Sequence, residues 1–158
     1  MPNSYGLSLY AKLKPETRTI VDKYNDLAIN GNDQDWRWLH KYPASALTGV
    51  IPAGKPVIQA AYRHFKDLER DDIYLCDKAI LSIMSWFKII PIPDGAMAGK
   101  PMTLSPPLIW MTCSIIGWRW SADEFEVIEG ETVRIKTAGK RRFKESFNLV
   151  ARKFTKTT

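Results

Sequence analysis

The stretch SPPLIWMTCSIIGWRWSADEFEVIEGETVRIK, residues 105–136, contains both kinds of secondary structure this chain uses. Ser105 is a candidate N-cap, and Pro106 and Pro107 suit a first helical turn. Residues 108–116 are apolar nearly all round, which predicts a helix buried on most sides, and Gly117 is its stop. The character changes at Phe125. Residues 125–128 and 132–136 are β-branched and aromatic, and Glu129-Gly130-Glu131 separates them, which predicts a hairpin. A buried helix followed by a hairpin sets the fold class: α+β, mainly helical, with a small antiparallel element near residues 125–150.

The flanking sequence adds helices on one side and a strand on the other. Pro15 opens a helix with Ile20, Val21, Tyr24, Leu27 and Ala28 on one face, ended by Asn30-Gly31-Asn32. A short second helix runs from Trp36 to His40 and stops before Pro43. Pro56 opens a helix with the stripe Val57, Ala61, His64/Phe65 and Leu68. Asp71 or Asp72 caps the next, with Cys76, Ile80, Met84 and Phe87 on one face, and Pro91 and Pro93 end it. Residues 94–101 form a Gly- and Pro-bearing loop. Downstream, residues 143–150 make a third strand, with Phe143, Phe147 and Leu149 as its apolar side chains. The expected organisation is an N-terminal helical extension, 1–45, and a main unit, 46–158.

The 158 residues carry a formal charge of +6, distributed unevenly. From Arg134 onwards nine basic residues face Glu145 alone, a net of +8; residues 1–133, with 14 basic and 16 acidic residues, carry −2. Such asymmetry points to polyanionic partners. An apolar share of 45% excludes wholesale disorder. Two cysteines, Cys76 and Cys113, make neither a disulfide framework nor a zinc spacing, and a reducing compartment is expected. The most apolar segment, residues 106–118, falls short of the roughly 20 residues a membrane span needs, so no membrane partner is expected.

Towards the end, a strand runs into a basic loop finishing Lys156-Thr157, as a phosphate-binding loop begins. Three segments in order carry a wider likeness: AGKPVIQAAYRHFKDLER (53–70), AGKPMTLSPPLIWMTCSIIGWRW (98–120) and GKRRFKESFNLVARKFTKT (139–157). Together they resemble the N-terminal portion of the large terminase subunit of tailed bacteriophages, over roughly residues 46–158. The resemblance implies the start of a P-loop ATPase domain, in a motor that packages viral DNA with ATP and Mg²⁺ and cuts it with a C-terminal nuclease. It assigns nucleotide-phosphate contacts to Arg152, Lys153 and Lys156, and the Mg²⁺-binding hydroxyl to Thr157.

Two departures alter that expectation. Thr155 stands where the family has Gly before the loop lysine, and Gly serves where φ is positive or backbone must approach phosphate closely. Pro106-Pro107-Leu108 stands where the family has Pro-aromatic-Gln, the Gln reading adenine. The resemblance also places the helix after the loop, the acidic Mg²⁺-binding strand, the catalytic Glu and the nuclease beyond Thr158. The expectation is therefore a terminase segment that is not catalytic as an isolated chain and takes no cofactor alone. It would work in the cytoplasm of a phage-infected or lysogenic bacterium, with packaging components or another protein as partners. Two alternatives stand beside it. One is a terminase-derived adaptor or inhibitor that binds a phage packaging or host defence protein. The other is a sequence-tolerant DNA-binding accessory protein using Lys140, Arg141, Arg142 and Lys144.

Other constellations read as structural. His40 and His64 lie far apart in the chain with no Cys or carboxylate at ligand spacing, so they are surface or packing residues rather than a metal site. No Ser-His-Asp or Cys-His pairing is readable. Asp123, Glu124, Glu126, Glu129 and Glu131 form a solvated hairpin edge. Trp110 is core. Trp118-Arg119-Trp120 follows a helix end, where aromatics and Arg anchor interfaces.

Overall fold

The computed structural model describes residues 4–29, 35–93 and 95–145. Among these the fold is α+β and helix-rich, with two antiparallel strand pairs. Helices α1 (Ser4–Tyr10) and α2 (Pro15–Asp26) precede α3 (Trp38–Thr48) and α4 (Lys55–Asp67). Strand β1 (Ile73–Leu75) leads into α5 (Asp77–Phe87), and α6 (Pro106–Gly117) leads into β2 (Trp118–Trp120). Strands β3 (Glu124–Ile128) and β4 (Glu131–Lys136) form the hairpin.

Helix α3 is the axis of the molecule and contacts α1, α2, α4 and α6. It does not stop before Pro43 but runs through it to Gly49, whose φ of 81° ends it. A mid-helix proline forfeits one hydrogen bond, here to the Leu39 carbonyl. The Pro43 ring is fully buried and residues 43–47 are all interior, so burial offsets that loss. Two clusters share this axis. Val21, Leu47, Ile58, Ala61 and Phe65 pack on one side; Leu39, Ile80, Met84, Ile109 and Cys113 pack on the other, and Trp110 touches both. Side chains of α1 and α2 belong to the first cluster, and α3 runs across the 45/46 position. Gly6 allows α1 to lie directly on α3: a Cβ there would overlap the Leu47 carbonyl oxygen.

The hairpin forms where expected, in the register Glu126↔Val133 and Ile128↔Glu131. Its turn is two residues, Glu129 and Gly130, with φ of 52° and 86°. The other pair is new. Residues 73–75 are strand rather than the start of a helix, antiparallel to β2 with Tyr74 opposite Arg119. The segment 139–142 then lies along the far side of β2. Gly139 N–H donates to the Trp120 carbonyl (2.9 Å), Trp120 N–H to Lys140 (3.1 Å) and Arg142 N–H to Trp118 (2.9 Å). Residues 143–145 are not strand, and residues 146–150, the rest of the third strand expected at 143–150, lie outside the described residues.

Candidate functional site

Helix α6 was expected to be buried on most sides, yet only Ile109, Cys113 and Gly117 are buried. That i, i+4, i+8 stripe faces the core. The next stripe, Pro107, Met111, Ser114, Ile115, faces α4 across an open groove of about 550 Å³. Val57, Ala60 and Arg63 of α4 form the opposite wall, Tyr42 closes the floor from α3, and Phe143 and Glu145 stand at one rim. Size and apolar character match a binding pocket.

His40 and His64 meet at the inner edge of this groove. His40 Nδ1 lies 3.0 Å from His64 Nε2, so one ring donates a hydrogen bond to the other. The Tyr24 ring lies 4.7 Å from His40, and Trp110 and Trp118 meet His64 edge-on at 6.3 and 6.2 Å. Burial pushes His40 down to about 4 and His64 well below its usual range, where the neighbouring His40 lowers it further. Both are buried and neutral near pH 7, in a pair that their sequence separation hides.

One turn along α4, the buried Asp67 accepts a hydrogen bond from the Arg142 guanidinium, which lies over the Phe143 ring at 5.0 Å. This ion pair ties the 139–145 segment to α4 and brings Phe143 to the groove. Of the basic residues expected on DNA, Arg142 is therefore turned inward, while Lys140, Arg141 and Lys144 are exposed. Trp118 is not an exposed anchor: it is 2% exposed, because the inner face of β2 packs on the core. Trp120 is half-buried with the Lys136 ammonium 4.5 Å over its ring, and Arg119 points to the outer face. Arg152, Lys153, Lys156 and Thr157 lie outside the described residues.

The acidic hairpin residues are exposed; Glu124 pairs with Lys136, and Asp123 accepts a hydrogen bond from the Ala138 N–H (2.7 Å) and lies 3.7 Å from Arg134. Among the described residues no group of three or more His, Cys, Asp or Glu is placed to hold a metal ion. Burial pushes the Cys113 thiol up to about 12, which keeps it protonated. The first turn of α6 is Pro106, Pro107 and Leu108. Among the described residues the polar side chains lining the groove are Tyr42, Arg63, His64, Asp67, Ser114 and Glu145. The walls of the groove are mainly apolar, with Arg63, Asp67, Ser114 and Glu145 among them.

Asp67 and the histidine pair were not visible as a site in the sequence. Their only signal was the place of His64 on the buried stripe of α4, which fits packing equally well. Comparison with family models, with curated proteins and with solved structures gives no match.

Proposed function

We propose that the chain is the N-terminal segment of a phage terminase large subunit and that it serves viral DNA packaging by binding rather than by hydrolysis. One observation carries this reading. Residues of 53–70, of 98–120 and of 139–145, the described part of the third segment, meet at one groove, and every described lining residue except Tyr42 comes from them. Segments chosen for their likeness to a family thus form one spatial unit. The groove's apolar walls suit a protein partner, which also accommodates the adaptor or inhibitor reading. ATP and Mg²⁺ belong to the intact family and are not required for this role.

The test is retention of identified packaging components, portal protein or small terminase subunit, from phage-infected cells by the immobilised chain. Met111→Arg, which places a charge in the groove, is expected to reduce that retention at least tenfold while the melting temperature holds. Retention unaffected by the substitution, or saturable Mg²⁺-dependent ATP hydrolysis by the chain, would overturn the proposal. A DNA-binding role is the second reading, and the exposure of Lys140, Arg141 and Lys144 favours it.

A further inference from the structure

Side chains alternate along the small sheet. Ile73, Leu75, Trp118 and Trp120 share its inner face, and Trp118 and Ile73 are buried. The opposite face carries Tyr74, directly across from Arg119, and Arg119 is in turn bridged to Arg141 on the 139–142 segment. Three neighbouring backbones therefore place Tyr74, Arg119 and Arg141 in one row. Tyr74 is 44% exposed, and Arg141 is also exposed.

Two arginines directly opposite each other on adjacent strands repel, and such pairs destabilise a sheet. Carboxylates normally relieve this. Asp67 relieves Arg142 in that way on the inner side, and Asp72 relieves Arg70. Among the described residues no carboxylate lies within 4.0 Å of Arg119 or Arg141. Lys140, next in the chain, adds a further exposed cation. The arrangement leaves the exposed Arg141 and the half-buried Arg119 for an external anion, beside an exposed aromatic ring.

We propose that Tyr74, Arg119 and Arg141 form a single-stranded nucleic-acid contact, the two arginines on backbone phosphates and the Tyr74 ring under a base. Guanidinium forks match phosphate oxygens, and base–aromatic stacking is sequence-tolerant. The assignment rests on the DNA-binding reading and changes its residues. Arg119 joins the contact and Arg142 leaves it, because strand alternation turns Arg142 to Asp67. A short, narrow row with a stacking ring suits separated bases better than the continuous backbone of a duplex.

The experiment is fluorescence anisotropy of a labelled mixed-sequence 20-mer with the full chain, across a series of salt concentrations. The double substitution Arg119→Gln/Arg141→Gln is expected to weaken binding about tenfold and to make the salt slope shallower by about 1.4, at roughly 0.7 per phosphate lost. Tyr74→Leu is expected to weaken it about tenfold with the slope unchanged. Without nucleic acid, the double variant should melt no lower than the parent, since a repulsive pair has been removed. Lys12→Gln/Lys23→Gln, the same charge change on the α1–α2 side, is the control and should leave the slope in place.

Equal losses in the control and the Arg119/Arg141 variant would overturn the assignment and leave a bulk charge effect. So would tighter binding of the corresponding duplex, or of polyglutamate, than of the single strand. A lowered melting temperature in the double variant would make the row structural and overturn it too. Binding that persists undiminished in the double variant sinks the row but not the DNA-binding reading, whereas no binding by the parent at low salt sinks both.

Discussion

At the residue scale, the His40–His64 contact is the most consequential pairing in the molecule. Two neutral imidazoles satisfy each other in a space that also holds Tyr24, Trp110 and Trp118. Among the described residues neither ring has a carboxylate within ion-pair distance, and Asp67, the buried carboxylate of the same groove, is engaged by Arg142. The unfolded chain takes up protons on both histidines below about pH 6.5, while the folded chain resists until about pH 4 at His40 and lower at His64. Because the unfolded state binds more protons across this window, stability is full above pH 6.5 and falls as the pH drops towards 4. For His40 alone the difference corresponds to about 3 kcal/mol. Melting temperature followed from pH 7.5 to 4 should decline accordingly, and His40→Gln should flatten the decline. The carboxylates held low by basic neighbours, Asp35 beside Arg37 and Asp72 beside Arg70, lose their contribution only at still lower pH. A pH-independent melting temperature between 6.5 and 4 would remove the buried neutral pair from consideration.

At the element scale, the hairpin and the β1–β2 pair differ in how far their determinants lie apart. The hairpin was legible because β3, its turn and β4 are consecutive, and the Gly130 turn announces itself. The same strands lie on the surface: Phe125, Val127 and Ile128 are exposed, and an isolated two-stranded ribbon is marginal in water. Its two-residue turn needs φ above zero at both positions, a conformation that favours Asn-Gly over Glu-Gly. Glu129→Asn should therefore stabilise the hairpin by about 0.5–1 kcal/mol, read as slower amide exchange within residues 124–136, with little change in global melting. Exchange in the hairpin unchanged or faster would contradict that turn geometry. Strand β1, by contrast, was hidden. Ile73-Tyr74-Leu75 is three residues long and its partner is Trp118-Arg119-Trp120, so nothing local separates it from a helix start. Pro43 misled for the opposite reason: its local signal is strong, and a buried environment at residues 43–47 overrides it.

At the scale of the whole molecule, the groove depends on a tie between distant parts of the chain. Its walls were legible only in part: Val57 and His64 belong to the stripe read on α4, whereas α6 reads as apolar nearly all round. The mutual facing of the two walls was not legible, because it follows from α3 packing against both. The Asp67–Arg142 pair then anchors the 139–145 segment across the end of α4. Asp67→Asn leaves Arg142 without its carboxylate and should cost about 2 kcal/mol in urea denaturation. It should also speed amide exchange at Gly139 and Arg142, whose N–H groups bond to β2. Loss of stability without faster exchange at those two amides would place the role of Asp67 elsewhere.

Helix α6 passes into β2 with no residue between them, Gly117 ending one and Trp118 beginning the other. The Gly117 carbonyl accepts a hydrogen bond from Cys76 N–H (2.9 Å), which clamps the junction to the end of β1. The end of α6 and the start of β2 are thereby held at one point against the end of β1, and the groove wall on α6 and Arg119 on β2 are joined without a linker.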